Sequence, residues 1–302
     1  MTALDRRSRE FHESLQEQYL EKLRSAGIRD THEYFDRLGE LNDGRVDPDA
    51  IELLREGEIP LTAFYRVAPT VDQEVMIATL NPGMQNNIDR SRLSDGGEYD
   101  RHARAGKDVE ATAQSVARNQ NGFFTHSDNR FDTLIQSLRS ELDLLGDEQS
   151  YQEYVTPDGD NSLMDGFFGD ICYTWVYKLA TGDKTGIEDL ARPDSEFARK
   201  KFVREVFDIV RPRVLVCVGK EGWRAIYEEL ELRGDPEELL KVYSDKSPLT
   251  KSYHPKLEKG AYSGLYRLPS EDLWIVTTWH ASYWVKRERL RENLRLLNRE
   301  IQ

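Results

Sequence analysis

The chain has 302 residues, a formal net charge of -13 and 2 cysteines, with 38% hydrophobic, 10% aromatic and 32% charged residues. This length suits one large α/β domain, or one domain with a helical extension, and the composition is that of a folded chain and not of a disordered tail. No apolar run approaches the roughly 20 residues of a membrane helix, Met1 to Arg9 lacks the apolar stretch of a secretory signal, and Cys172 and Cys217 alone cannot make a four-thiolate zinc or iron–sulfur site. A reduced cytoplasmic protein is the expectation.

An acidic chain is a poor starting point for nucleic-acid binding, because affinity for phosphate comes from clustered Lys and Arg. Of the 42 basic residues 29 are arginine, and acidic excess with few lysines is the pattern of salt-loving proteins. On that halophilic reading, concentrated salt screens the global charge within a few ångströms, and a DNA partner stays open. On the plainer reading this is an ordinary acidic cytosolic protein.

Asp5 to about Glu56 reads as helical. Leu15, Tyr19 and Leu23 recur at four-residue spacing, and Asp47-Pro48-Asp49 opens a second short helix marked by Ile51, Leu53 and Leu54. Residues 1–70 are therefore expected to form a helical extension to an α/β domain over 71–302. Val75 to Leu80 is a continuous apolar run, as in a strand buried on both faces, and it stops at the turn signal Asn81-Pro82-Gly83. Residues 84–121 are polar and lack a periodic apolar face, which predicts a long insertion loop. Phe131 to Leu145 carries Phe131, Leu134, Ile135, Leu138 and Leu142 on one helical stripe.

Ile171 to Val176 predicts a second strand, with Cys172 and Trp175 as strand packing, and residues 181–189 a Gly/Asp-rich loop. Phe197 to Val210 predicts a helix stopped by Pro212, Val214 to Gly219 a third strand, and Trp223 to Leu232 a helix. Leu265 to Leu268 reads as a short edge strand, Leu273 to Thr278 as a buried strand, and Arg287 to Gln302 as the final helix. Strands alternating with helices of this length predict a three-layer α/β sandwich around a mostly parallel sheet.

Ligands of open parallel sheets bind outside the carboxyl ends of the strands. Here those tips carry Asn81-Pro82-Gly83, Gly219 and His280-Ala281-Ser282, so an amide and an imidazole distant in sequence can converge. Taken singly, each residue also has a plain structural reading. Asn81-Pro82 is a favoured turn pair, Phe124 a core aromatic, His126 a structural hydrogen-bond partner and His280 a packed histidine among Trp279, Tyr283 and Trp284.

Thr79-Leu80-Asn81-Pro82-Gly83 resembles the G-I-N-P-G motif of the mismatch-specific branch of the uracil-DNA glycosylase superfamily. Phe124-Thr125-His126-Ser127-Asp128-Asn129-Arg130-Phe131 is similar to that branch's F-A-H-P-A-N-R-F segment. Arg211 to Lys220 resembles the superfamily's P-x-v-v-v-x-l-G strand and helix, and Thr278-Trp279-His280-Ala281-Ser282 its T-x-H-P-S signature. The four segments follow the family's order over Val75 to about Arg291.

The resemblance implies a uracil-DNA glycosylase-like sandwich and a monomeric, monofunctional glycosylase that flips uracil or a mispaired pyrimidine out of DNA, without metal or cofactor. Carried over residue by residue, it implies that Asn81 orients the attacking water and His280 stabilises the leaving base. Phe124 would stack on that base, with Asn129, Pro82 and Gly83 completing its pocket. Ser282, Tyr283, Trp284, Lys286 and Arg287 would contact DNA, an aromatic wedging into the vacated stack. Two departures stand out: Thr79 occupies the motif's glycine position and Ala281 its proline. A binding module without catalysis, or a structural protein with only the outline of a site, are the alternatives.

Overall fold

The computed structural model describes residues 6–30, 33–34, 37, 65–67, 73–80, 130–145, 171–178, 195–234, 240–244, 264–278 and 287–302. Among them, α1 (Arg6–Ser25) precedes β1 (Tyr65–Val67) and β2 (Val75–Thr79); α2 (Arg130–Glu141) leads to β3 (Ile171–Trp175). Then come α3 (Ser195–Arg204), β4 (Val214–Val218), α4 (Lys220–Arg233), β5 (Leu240–Ser244), β6 (Gly264–Leu268), β7 (Leu273–Thr278) and α5 (Arg287–Ile301). The expected second short helix near Ile51 and the insertion 84–121 lie outside the described residues.

The seven strands form one sheet in the order β1-β3-β2-β4-β7-β6-β5. Its centre, β3-β2-β4-β7, is parallel throughout, while β1 and β6 run against their neighbours. The sheet is thus mixed, with five strands pointing one way. One expectation needs correcting: Leu265–Leu268 is not at an edge, because β5 adds to β6 by antiparallel pairing and takes the edge itself.

Period-two alternation sends successive side chains to opposite faces. Val75, Ile77, Val214, Val216, Trp274 and Val276 pack with Leu134 and Leu138 of α2 and Leu290, Leu294 and Leu297 of α5. Met76, Ala78, Leu215, Cys217 and Ile275 pack on the other side with Phe202 of α3 and Trp223, Ile226 and Leu230 of α4. Helices cover both faces, which explains why the central strands read as unbroken apolar runs.

Beyond Arg204 the third helix widens into a π-helical stretch, Glu205–Val210. It ends with Arg211 in the left-handed region (φ 50°), whose N–H donates to the Val206 carbonyl, and Pro212 prevents continuation. Against this helix lies α1, with Leu15, Tyr19 and Leu23 buried and the Tyr19 ring edge-on to Phe197 at 5.2 Å. The four-residue spacing legible in the sequence is therefore the docking face of α1.

Candidate functional site

Two strands lead toward the sequence motifs. Both β2 and β7 pair in parallel with β4, one on each side, so their carboxyl ends leave the same edge of the sheet. With strands spaced 4.7–4.9 Å, the two tips stand about 10 Å apart, on either side of the end of β4. Thr79 is the last residue of β2 and lies two positions before Asn81; Thr278 is the last of β7 and lies two before His280.

Hydrogen bonds pin these tips. The chain after β3 continues the ladder, the Val176 N–H donating to the Thr79 carbonyl and the Tyr177 N–H to that of Leu80, each at 2.9 Å. Across β4, the Gly219 N–H donates to the Thr278 carbonyl at 2.9 Å. Gly219 has φ 92°, a conformation only glycine adopts readily, and this turns the chain from β4 directly into α4.

A second glycine sets how closely that helix approaches. A Cβ on Gly222 would meet Cys217 Sγ at 3.1 Å and Ala78 Cβ at 3.5 Å, so the first turn of α4 lies on β2 and β4 beside the tips. Its Glu221 is buried and accepts a hydrogen bond from the Tyr177 hydroxyl at 3.2 Å. The Arg199 guanidinium donates to the same hydroxyl at 3.5 Å and pairs with Glu228 at 2.7 Å, and Arg224 holds Glu228 at 2.6 Å. Tyr177, Arg199 and Glu221 form a polar brace under the site edge. Sequence reading passed over all three, since nothing in their spacing separates a brace from a solvated surface.

The strand ends bring further polar groups into burial. Thr79, Thr277 and Thr278 are all buried, and among the described residues the Thr79 and Thr277 hydroxyls have no hydrogen-bond partner. Behind β3, Lys178 and Glu205 form an ion pair at 2.5 Å with both side chains fully buried, and Lys178 also donates to the Thr174 hydroxyl. Burial pushes the Glu205 carboxyl above its ordinary range, against the pull of Lys178. His12 of α1 lies near enough to Lys178 for its charge to matter: burial first, and Lys178 second, lower the imidazole pKa to about 3. Burial likewise raises the thiols of Cys172 and Cys217, so neither has the exposed thiolate character of a nucleophile.

Asn81, Pro82, Gly83, Phe124, Asn129, His280, Ser282, Tyr283, Trp284 and Lys286 lie outside the described residues, as does His126. Arg287 is the first residue of α5, and Arg130, next to Asn129, the first of α2. The segments immediately before and after the motifs are therefore anchored on regular elements. Among the described residues no group of three or more His, Cys, Asp or Glu could hold a metal ion, and no helix is long and apolar enough to cross a membrane. Comparison with known proteins finds no matching family model and no matching curated protein.

Proposed function

We propose that the chain is a DNA glycosylase of the uracil-DNA glycosylase type, with that superfamily's three-layer sandwich, acting as a cytoplasmic monomer on uracil or a related mispaired pyrimidine in DNA. The observation that carries the reading is the parallel pairing of β2 and β7 on either side of β4, which puts their tips on one edge about 10 Å apart. The two tips lead into the stretches that resemble the family's amide and histidine signatures.

In the proposed reaction the target nucleotide leaves the stack and enters a slot lined by Phe124, Asn129, Pro82 and Gly83. Asn81 orients a water at C1′ of the sugar. An amide cannot accept a proton as a carboxylate does, so its part is positioning and not general-base catalysis. The water oxygen bonds to C1′ as the C1′–N1 bond breaks, and the proton that the water sheds passes through solvent to the departing pyrimidine anion, so that sugar hydroxyl and neutral base are the products. The bonding pair departs with the pyrimidine, where it delocalises from N1 onto the carbonyl oxygen at C2. Neutral His280 donates a hydrogen bond to that oxygen, which stabilises charge that exists only as the bond breaks. Nothing in this sequence of events calls for a cofactor. Ser282, Tyr283, Trp284, Lys286 and Arg287 would hold the duplex next to the histidine.

An abasic-site assay on a uracil-containing oligonucleotide, run at low and high salt, tests the reading. Wild type should release uracil, and Asn81→Ala with His280→Ala should abolish release; equal product from wild type and variant would refute it. Buried Thr79, at the motif's glycine position with an unpartnered hydroxyl, favours one other reading, a binding module without catalysis. That reading predicts a gel shift with uracil-bearing DNA and no free base.

A further inference from the structure

A recess of roughly 450 Å³ opens between α1 and the third helix with its π-helical extension, and none of the motif residues lines it. Phe11, Leu15 and Ile209, all buried, contribute apolar surface to it. Arg7, Lys201 and Arg204 line it with positive charge, and Glu10 and Asp208 with negative charge.

The ion pairs in this recess are uneven. Glu10 is taken by Arg6 at 2.7 Å, outside the recess, and Asp208 faces Arg204 at 3.5 Å. Of the other two cations, Arg7 donates to the Asp208 carbonyl, and Lys201 donates to the Gln18 amide oxygen and lies over the Phe197 ring at 5.1 Å. Among the described residues no carboxylate pairs with either. The Ser14 hydroxyl accepts from Gln18 Nε2 at 2.7 Å, which leaves its own O–H as a third donor on the same wall. Burial, then Arg204, lower the pKa of Lys201, the direction expected of an ammonium that would gain from an anion.

We propose that this recess binds a small organic phosphomonoester, its phosphate held by Arg7, Lys201 and the Ser14 hydroxyl and its apolar body seated on Phe11, Leu15 and Ile209. Two unneutralised cations match a dianion, and two cations plus a hydroxyl offer more donors than the two oxygens of a carboxylate use. The volume falls within the range of small-molecule sites, and the apolar surface distinguishes the ligand from a bare inorganic ion. The site is independent of the strand-tip site, and its ligand need not be nucleic acid.

Calorimetric titration of the full chain with phenyl phosphate tests this, with phenol as the uncharged control. Phenyl phosphate should bind saturably and phenol should not. Arg7→Gln and Lys201→Gln should each weaken binding by about tenfold or more, as loss of one charge-assisted hydrogen bond does. Both residues also tie α1 to the third helix, so Glu10→Gln supplies the opposite sign: it removes an acid from the wall without touching the docking contacts, and should tighten binding. Absence of saturable binding to wild type, or equal affinity in wild type, Lys201→Gln and Glu10→Gln, overturns the proposal.

Discussion

The two faces of the central sheet are built from alternate residues of the same strands, yet they solve burial differently. Toward α2 and α5, the packing is mostly aliphatic, with Ser137 and Asn293 buried among it, and the buried Arg139 donates to the Leu145 carbonyl at 3.3 Å. Toward α3, α4 and α1 the core holds a Lys–Glu pair, a neutral histidine, two thiols and the Tyr177–Glu221–Arg199 brace. An aliphatic face tolerates repacking if volume is kept, whereas a buried charge tolerates only its partner. The polar face is also the one that fixes α1 and the start of α4, so the specific geometry of the site edge rests on it.

The strongest way to break this contrast is to remove half of the buried pair. Lys178→Met leaves the buried Glu205 without its cation, and should cost about 3–5 kcal/mol in denaturant unfolding. Lys178→Met with Glu205→Leu should recover most of that loss, because two apolar groups need no compensation. Equal losses in the single and double variants would mean that the pair is not a closed unit.

Next in size is the close approach of α4. Gly222→Val should cost about 1–3 kcal/mol by overpacking against Cys217 and Ala78, and shortening the neighbour with Cys217→Ala should return part of it. A valine tolerated without loss would show that the helix stands farther off.

The smallest effect belongs to pH. His12 holds a pKa of about 3 when folded and about 6.5 when exposed, so only the unfolded chain takes up a proton as pH falls through 6.5. The stability contributed by the neutral ring is whole above pH 6.5 and drains away toward pH 3. Between pH 7.5 and 5.5 wild type should lose roughly 1 kcal/mol more than His12→Gln, whose side chain does not titrate. Glu205, raised by burial, works in the opposite direction as pH falls, and it is present in both wild type and His12→Gln, so the difference between the two profiles isolates the imidazole. Parallel pH profiles would place His12 in solvent.

This difference between faces also decides what could be read in the sequence. Central strands announce themselves, because burial on both sides leaves runs such as Val214–Val218 with no polar residue. The outer strands do not: β1 is three residues long, and β5 reads Leu-Lys-Val-Tyr-Ser, too short and mixed to stand out from a loop. Missing β5 is what made β6 look like an edge. The spacing of Leu15, Tyr19 and Leu23 shows that α1 is amphipathic but not what it covers. Lys178 and Glu205 are 27 residues apart, and each alone reads as a surface charge. For the candidate site, the strands and the tips they share were legible from apolar runs that end in turn residues. The brace beneath them was not, because it depends on side chains meeting across three elements.

The central claim is that one pyrimidine ring fits between the ends of β2 and β7. A crystal structure of the chain with DNA carrying 2′-fluoro-deoxyuridine, a sugar whose glycosidic bond resists cleavage, tests it most directly. The account predicts the extruded uracil against Phe124, the Asn81 amide facing C1′ and the His280 imidazole within hydrogen-bond distance of the base oxygen. A uracil left in the duplex, or the three side chains found apart with apolar groups filling the space between the tips, would contradict it.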